Sequence, residues 1–579
     1  MGKKQQADLS KKKIVKTISL NEPWYLKQSI PVLIILIMLV YARSISLGFT
    51  YLDDTIFMLD KGESNEHLSN IFSAFVQGTF SEKDIYYRPL FRITFILERQ
   101  ILFLFPIEKF IDYALPLAHI VNLMLHILSI TLLFRVLQKF SFSKQSALMW
   151  SAVYAVHPVL TMAVAWIPGR NDLMLSVFLL AYFLHFFSYI ETKKTKHIIW
   201  QAVFLLLALL TKETAVFIPF AAAFYLLVFR RKELLSKMWL VIYPVWIIEI
   251  IIWYVLRSYT IDLKQANQSL ADTVSTALER VPGLIQYIGK IFLPFNLTVY
   301  PTVADTTYLF GAIAIVALII LIALNKNRNW KMILFGAGWF VLFILPFFFV
   351  PKKINDALFE HRLYIPMIGM IFITAQALPF ILRLIQFRSI IIYGCIIVIF
   401  SGMTIYYMVF FKDEISFYRK AVADAPSSAY MTKMLGIRLN DHGNETEAIT
   451  YFKKAFAMDS TQMYTHYFLA KLIYLKEDSL SRAKSLLEQE LKYTPTYVDN
   501  YFQLAYIGFK QNDNAAVIKN LKKVIELVPD DKASNNNLLK TYIDTKNKKA
   551  ALDQISYMNS KGIFVDDVTI SQVNALPKN

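Results

Sequence analysis

Eleven apolar segments of roughly membrane-spanning length divide the first 412 residues, and nothing else in the sequence limits the fold as tightly. They centre on residues 29–48, 115–138, 146–166, 172–190, 197–211, 214–229, 238–256, 307–324, 332–350, 364–382 and 389–411. A helix needs about 20 apolar residues to cross a hydrocarbon core of about 30 Å, and some of these segments reach that length only narrowly. With 56% hydrophobic and 18% charged residues among 579, the chain is too apolar for a soluble protein of this size. A polytopic helical membrane domain is expected over 29–412, preceded by a basic tail over 1–28.

Charge sets the expected topology. The formal net charge is +18, of which +16 falls before residue 413. It collects in short runs beside apolar segments, such as Lys139/Lys144, Lys193/Lys194/Lys196, Arg230/Arg231/Lys232, Lys326/Arg328/Lys331 and Arg383/Arg388. Lys and Arg are retained on the cytoplasmic side, so this pattern belongs to membrane topology and argues against a nucleic-acid partner. Counting from a cytoplasmic Lys-rich start, the loops at 49–114, 167–172, 212–213, 257–306 and around 360 face outward, and so does everything after 412. The long first outer loop, 49–114, contains "LSNIFSAFVQGTF" and "RPLFRITFILERQILFLF", whose apolar residues recur at helical spacing beside charges. Such helices lie in the membrane interface. "VPGLIQYIGKIFLPF" repeats the pattern in the second long loop. The single cysteine, Cys395, excludes an intramolecular disulfide.

After residue 412 the composition turns soluble and a repeat appears. Gly436, Ala470 and Ala505 stand at spacings of 34 and 35, with Ala448, Ala483 and Ala516 one helix later and Pro495 and Pro529 closing two of the units. This is the tetratricopeptide pattern, in which small residues let the two helices of a hairpin pack closely. About three repeats and a capping pair near 533–560 make a short α-solenoid over 413–579, a surface suited to a protein partner.

Charged residues gather where the apolar segments meet the outer face. "YLDD" places Asp53 and Asp54 directly after the first segment; adjacent residues project in different directions, so one of the two carboxylates is expected to face a substrate. His157 precedes the "PGRND" turn that carries Arg170 and Asp172; "TKET" carries Lys212 and Glu213; "EHRLY" carries Glu360, His361, Arg362 and Tyr364. Four such clusters on one face imply a shared polar cavity. No HExxH, Gly-x-Ser-x-Gly or phosphate-binding Gly-rich loop occurs, which removes zinc-hydrolase and nucleotide-hydrolysis chemistry.

Taken in order, "YLDD", "YYRPLFRITF", "AHIVNLMLHILSITLLFRVL", "HPVLTMAVAWIPGRNDLM", "TKET", "EHRLYIPMIG" and the trailing repeats resemble the transmembrane and tetratricopeptide repeat-containing O-mannosyltransferases and their bacterial relatives, which are type C glycosyltransferases. The resemblance implies an all-α, multispanning membrane domain of that fold followed by the solenoid. It also implies a polyprenyl-phosphate-linked sugar as donor and a hydroxyl acceptor on exported proteins, engaged through the repeats. Two departures stand out: Met162 occupies the place of the family's Glu after His-Pro, and His361 a place where animal members tend to have Arg.

On that reading Asp53 is the catalytic base, with Asp54 beside it in the catalytic set, and Asp53 aligns with the first acid of the wider type C motif. Arg88, Arg170, Lys212, His361 and Arg362 would hold the donor phosphate. Asp172, Glu213, Glu360, His157 and Tyr364 would support them. The sequence identifies no cofactor and leaves a divalent metal open. The Lys-, Ile- and Phe-rich composition favours a bacterial inner membrane, with the repeats on the periplasmic side. A scaffold that only presents repeats would need no outer set of charges, and a transporter would show internal repeats or broken helices at the bilayer midplane.

Overall fold

The computed structural model describes residues 23–60, 65–79, 86–106, 110–234, 236, 239–261, 269–350, 357–385, 389–474 and 479–577. The Lys-rich segment before residue 23 and the side chains of Arg383 and Arg388, which carry part of the expected topology, lie outside the described residues. The described residues form helices and connecting turns without strands, in two compact units, Met1–Ala425 and Pro426–Asn579.

Among the described residues of the first unit, six helices are long and apolar enough to cross a membrane by themselves: Ser29–Ser46, Phe110–Lys139, Ile167–Thr192, Trp239–Thr260, Trp330–Phe348 and Ile390–Phe411. A bent pair, Lys144–Ala155 and Pro158–Ala165, is apolar and long enough only when its two helices are taken together, and it turns by 54°. The bend is written in the sequence: a residue before proline is pushed out of the helical region, and His157 is extended at φ −68°, ψ 124°. Four further apolar helices, Lys196–Leu209, Glu213–Phe229, Leu309–Leu324 and Pro366–Ala377, are shorter. Lys196–Leu209 has 14 residues, which at 1.5 Å each cover about 21 Å of a core of about 30 Å. The apolar segments thus exist as helices, but their lengths divide them into two classes that a hydropathy reading merges. The chain is an integral membrane protein.

Helices bring their backbones together at glycines, as membrane interiors favour. Trp330–Phe348 crosses Pro366–Ile385 where a Cβ on Gly369 would meet the Phe340 nitrogen at 2.9 Å. That crossing fixes the end of one helix, Phe343 to Phe348, against the start of the other, and both ends reach the site described below.

The Pro89–Leu102 helix of the first outer loop buries Phe91, Phe95 and Leu102 against Phe57, Ala114 and Ile167. Its opposite face exposes Leu97 and Ile101, followed by Phe103 and Leu104, the last 81% exposed. One face packed on protein and one apolar face left open is the arrangement of an interfacial helix.

The Glu414–Asp424 helix belongs to the first unit although its composition is soluble. Phe417 and Tyr418 are fully buried, and the Tyr418 hydroxyl donates to the Tyr51 carbonyl at 2.9 Å. Nearby, Gly48 N–H donates to Lys412 C=O at 2.8 Å; a Cβ at Gly48 would stand 2.6 Å from that oxygen, so the approach requires glycine.

The second unit is a run of antiparallel helix hairpins: Ala429–Asp441 with Glu445–Met458, a helix from Thr465 with Leu480–Glu490, Val498–Lys510 with Asn514–Leu527, and Lys532–Asp544 with Lys548–Ser560. Ala448, Ala470 and Ala483 are completely buried, and the Phe452 ring fits over Gly436. Ala516 packs on Gly508. A last helix, Asp567–Ala575, adds Val573 to the core of the capping pair.

Candidate active site

A cavity of about 620 Å³ opens in the first unit, and seven of the charged or titratable residues singled out in the sequence line it: Asp53, Arg88, Asp172, Lys212, Glu213, His361 and Arg362. They arrive from five separate stretches of chain. Each sits in a turn or at a helix start, where backbone direction changes at the end of an apolar segment.

Two ion pairs organise the floor. Arg88, which precedes the proline that opens its helix, holds Glu213 through Nη2 at 2.9 Å and Nε at 3.1 Å, and its guanidinium lies 4.4 Å from the Tyr86 ring centre. Lys212 Nζ stands 2.7 Å from both oxygens of Asp172, a first-turn residue of the Arg170–Thr192 helix. Burial, reinforced by Arg88 and Arg362, holds the Lys212 ammonium below its usual range despite the Asp172 carboxylate. His361 Nε2 is 4.0 Å from Asp172 Oδ2. Burial and the neighbouring Lys212, Arg362 and Arg88 push its imidazole well below the ordinary value.

Arg362 is different from the paired cations. Its Nη1 donates to the Ala357 carbonyl at 2.7 Å and its guanidinium lies 4.2 Å from the Phe347 ring centre and 5.4 Å from that of Phe359. It forms no ion pair with a carboxylate among the described residues. Phe343, Ile344, Phe347 and Val350 give the cavity an apolar wall.

Five residues expected at the site point elsewhere. Asp54 is 1% exposed and accepts from Thr50 N–H at 2.6 Å, Thr50 Oγ1 at 3.0 Å and Thr55 N–H at 3.1 Å. It shapes the loop that presents Asp53, with Tyr51 at φ 54° turning the chain. Arg170 is fully buried and spends its donors on Glu98 at 2.7 Å, Asn122 at 2.9 Å, Thr94 at 2.8 Å and the Ala118 carbonyl at 3.0 Å. Glu360 is held by Lys290 at 2.6 Å and Thr298 N–H at 2.8 Å, both bonds buried. His157 Nδ1 accepts from Val159 N–H, so its Nε2–H donates to the Ile291 carbonyl at 2.8 Å. Tyr364 gives its hydroxyl proton to His126 Nδ1 at 2.7 Å, because His126 Nε2 is committed to the Ala155 carbonyl. These five are struts around the cavity. Met162, where the family resemblance leads one to expect Glu, is fully buried and outside the lining.

The lining also contains residues the sequence reading passed over, chiefly Tyr86, Trp166, Asn171 and Arg257. Arg257 ends an apolar helix on the expected outer side, the same signal that marked Lys212 and Arg362. Trp166 and Asn171 carried no such mark.

Burial pushes the Asp54 carboxyl up to about 6, against the bonds from Thr50 and Thr55 that lower it. A folded-state value above the unfolded one, about 3.9, means that Asp54 contributes stability at low pH and that this contribution is lost as pH rises through 6. Asp54→Asn removes the titration. Between pH 4.5 and 7 the wild type should lose on the order of 2 kcal/mol relative to the variant, read as the difference in thermal midpoints of detergent-solubilised protein. Parallel pH profiles would show that Asp54 does not titrate in this range.

Among the described residues, no group of three or more His, Cys, Asp or Glu side chains is placed to hold a metal ion.

Fold and site together define a polytopic helical membrane protein that carries a charged cavity where its apolar helices end, joined to a tetratricopeptide-type solenoid. The profile of the dolichyl-phosphate-mannose-protein mannosyltransferase family matches residues 116–255. The chain is similar to human protein O-mannosyl-transferase TMTC3, at 31% identity over 180 residues, which are 30% of this chain and 18% of the human protein. It is also similar to Drosophila melanogaster protein O-mannosyl-transferase Tmtc1, at 37% over 98 residues, or 17% and 11% of the two chains. The antiviral innate immune response effector IFIT1 of Macaca fascicularis matches at 35% over 86 residues, or 15% and 18%. The chain thus spans less than a fifth of the length of the curated relatives it matches. Among solved structures, the MamA protein aligns with a TM-score of 0.23 and 20% identity, covering 26% of this chain and 80% of that one. The tetratricopeptide protein YrrB aligns at 0.23 and 17%, covering 25% and 74%.

Proposed function

We propose that the protein is a membrane glycosyltransferase that moves a sugar from a polyprenyl-phosphate carrier to a hydroxyl group, with Ser and Thr of exported proteins as acceptors. The observation that carries this reading is the cavity itself: a carboxylate, several cations and an apolar wall converge where helices end, which suits a donor that is part lipid and part polar headgroup.

Asp53 takes the acceptor proton. The acceptor oxygen forms its bond to the anomeric carbon as the bond from that carbon to the phosphate oxygen breaks, and the electron pair leaves with the phosphate. Attack opposite the leaving group inverts the anomeric centre. The phosphate gains negative charge in this step, so cations fixed in a poorly hydrated cavity lower the barrier. Arg362, which pairs with no carboxylate among the described residues, is the principal one; Lys212, Arg88 and Arg257 add to the field. The apolar wall from Phe343 to Val350 takes the first isoprene units of the carrier. The reaction is assigned to the non-cytoplasmic face, from the distribution of basic loops, and the solenoid on that face recruits the acceptor protein. A bacterial inner membrane, with the solenoid in the periplasm, is the assigned setting.

The purified full-length chain in lipid nanodiscs, given radiolabelled polyprenyl-phosphate mannose and a Ser/Thr-rich peptide, should label the peptide and release polyprenyl phosphate in equal amounts. Repetition with the glucose donor covers the choice of sugar. Absence of transfer from either donor, with bound donor detected, would leave a lipid-binding protein and overturn the enzyme assignment.

A further inference from the structure

Three residues of the cavity lining each carry a buried polar atom with no hydrogen-bond partner among the described residues: Nε1 of Trp166, Oδ1 of Asn171 and Nδ1 of His361. The residues are 4%, 6% and 7% exposed. Leaving such an atom unsatisfied costs about 1–3 kcal/mol, and native proteins satisfy nearly all of them. Unpartnered atoms occur elsewhere in the chain, but these three belong to residues that line one cavity.

Their chemistry is complementary to a sugar. The indole N–H only donates and the amide oxygen only accepts. The neutral imidazole nitrogen does either according to tautomer. A sugar hydroxyl donates and accepts at once. Beside these atoms, the rings of Trp166, Phe359 and His361 form a continuous apolar surface, with centroids 5.2 Å apart for Trp166 and His361, 5.3 Å for Phe359 and His361, and 6.2 Å for Trp166 and Phe359. Such a surface suits the C–H face of a pyranose.

Position argues the same way. Arg362 follows His361 directly and its guanidinium lies 5.4 Å from the Phe359 ring centre. A sugar one bond from a phosphate held by Arg362 has this wall within reach. Asp172, 4.0 Å from His361 Nε2, is taken by Lys212.

We propose that Trp166, Asn171 and His361 form the pocket for the sugar ring of the donor and select a neutral, hydroxyl-rich pyranose. This rests on the transfer reading above and extends it to the sugar. Trp166→Phe keeps the ring and removes only the N–H, and Asn171→Ala removes the acceptor.

The test is binding of polyprenyl-phosphate mannose and of bare polyprenyl phosphate to the full-length chain in nanodiscs. Each variant should weaken the sugar lipid about tenfold, the loss of roughly one hydrogen bond, and leave the bare lipid within about twofold. Arg362→Ala should weaken both. Equal loss on both lipids, or no loss on either, in the Trp166 and Asn171 variants would overturn the sugar pocket, as would a wild type that binds both lipids equally while still catalysing transfer. A wild type that binds neither lipid would overturn the transfer reading itself, and the sugar pocket with it.

Discussion

Asp53→Asn should lower sugar transfer by about 10²- to 10⁴-fold while donor binding persists. The amide keeps the size and most of the hydrogen-bonding shape of the carboxylate, but it cannot take the acceptor proton. The loop that presents the residue has other supports: Asp54 gathers Thr50 and Thr55, and Tyr418 holds the Tyr51 carbonyl. The loss should therefore appear in turnover of the folded protein. Near-normal turnover of the purified variant would remove Asp53 as the base and with it the mechanism as drawn.

Arg170→Met should cost about 3–5 kcal/mol of stability, because it leaves the Glu98 carboxylate buried without its cation. The guanidinium joins three helices, taking Thr94 and Glu98 from the interfacial helix and Ala118 and Asn122 from Phe110–Lys139 while standing at the start of Arg170–Thr192. Adding Glu98→Gln to Arg170→Met neutralises the stranded group and should recover a large part of the loss. Unfolding midpoints of the single and double variants give the coupling directly. Donor affinity per folded molecule should change little. A fall in donor affinity with unchanged stability would return Arg170 to the phosphate site.

These two residues show how far the site was legible. A charge at the end of an apolar segment is visible in a sequence, and that signal found Asp53, Asp172, Lys212, Glu213, His361 and Arg362, while Arg88 came from the amphipathic stretch "RPLFRITF". Direction is not visible. Glu360 and His361 are neighbours in one tight turn, yet Glu360 goes to Lys290 and His361 to the cavity. Asp53 and Asp54 divide in the same way, as expected for adjacent residues, and the sequence does not say what the second one holds. Trp166 and Asn171 were missed because an aromatic and an amide near a helix end look like ordinary packing. In the fold, the repeats were legible because spacings of 34 and 35 are a property of sequence alone. Helix length was less so, since apolar composition continues through turns such as "HP" and "IPG" where the helix stops.

The brace between Tyr418 and Tyr51 determines where the protein can be dissected. Composition invites a cut after Lys412, but a chain ended there loses the phenol that supports the acid loop and keeps Gly48 packed against its own terminus. Its inactivity would report on the loop and say nothing about acceptor recruitment. A cut after Ala425 retains the Glu414–Asp424 helix and every side chain of the cavity lining. Only that shorter protein separates the chemistry at the membrane from the choice of acceptor, because what it lacks is the solenoid and nothing else.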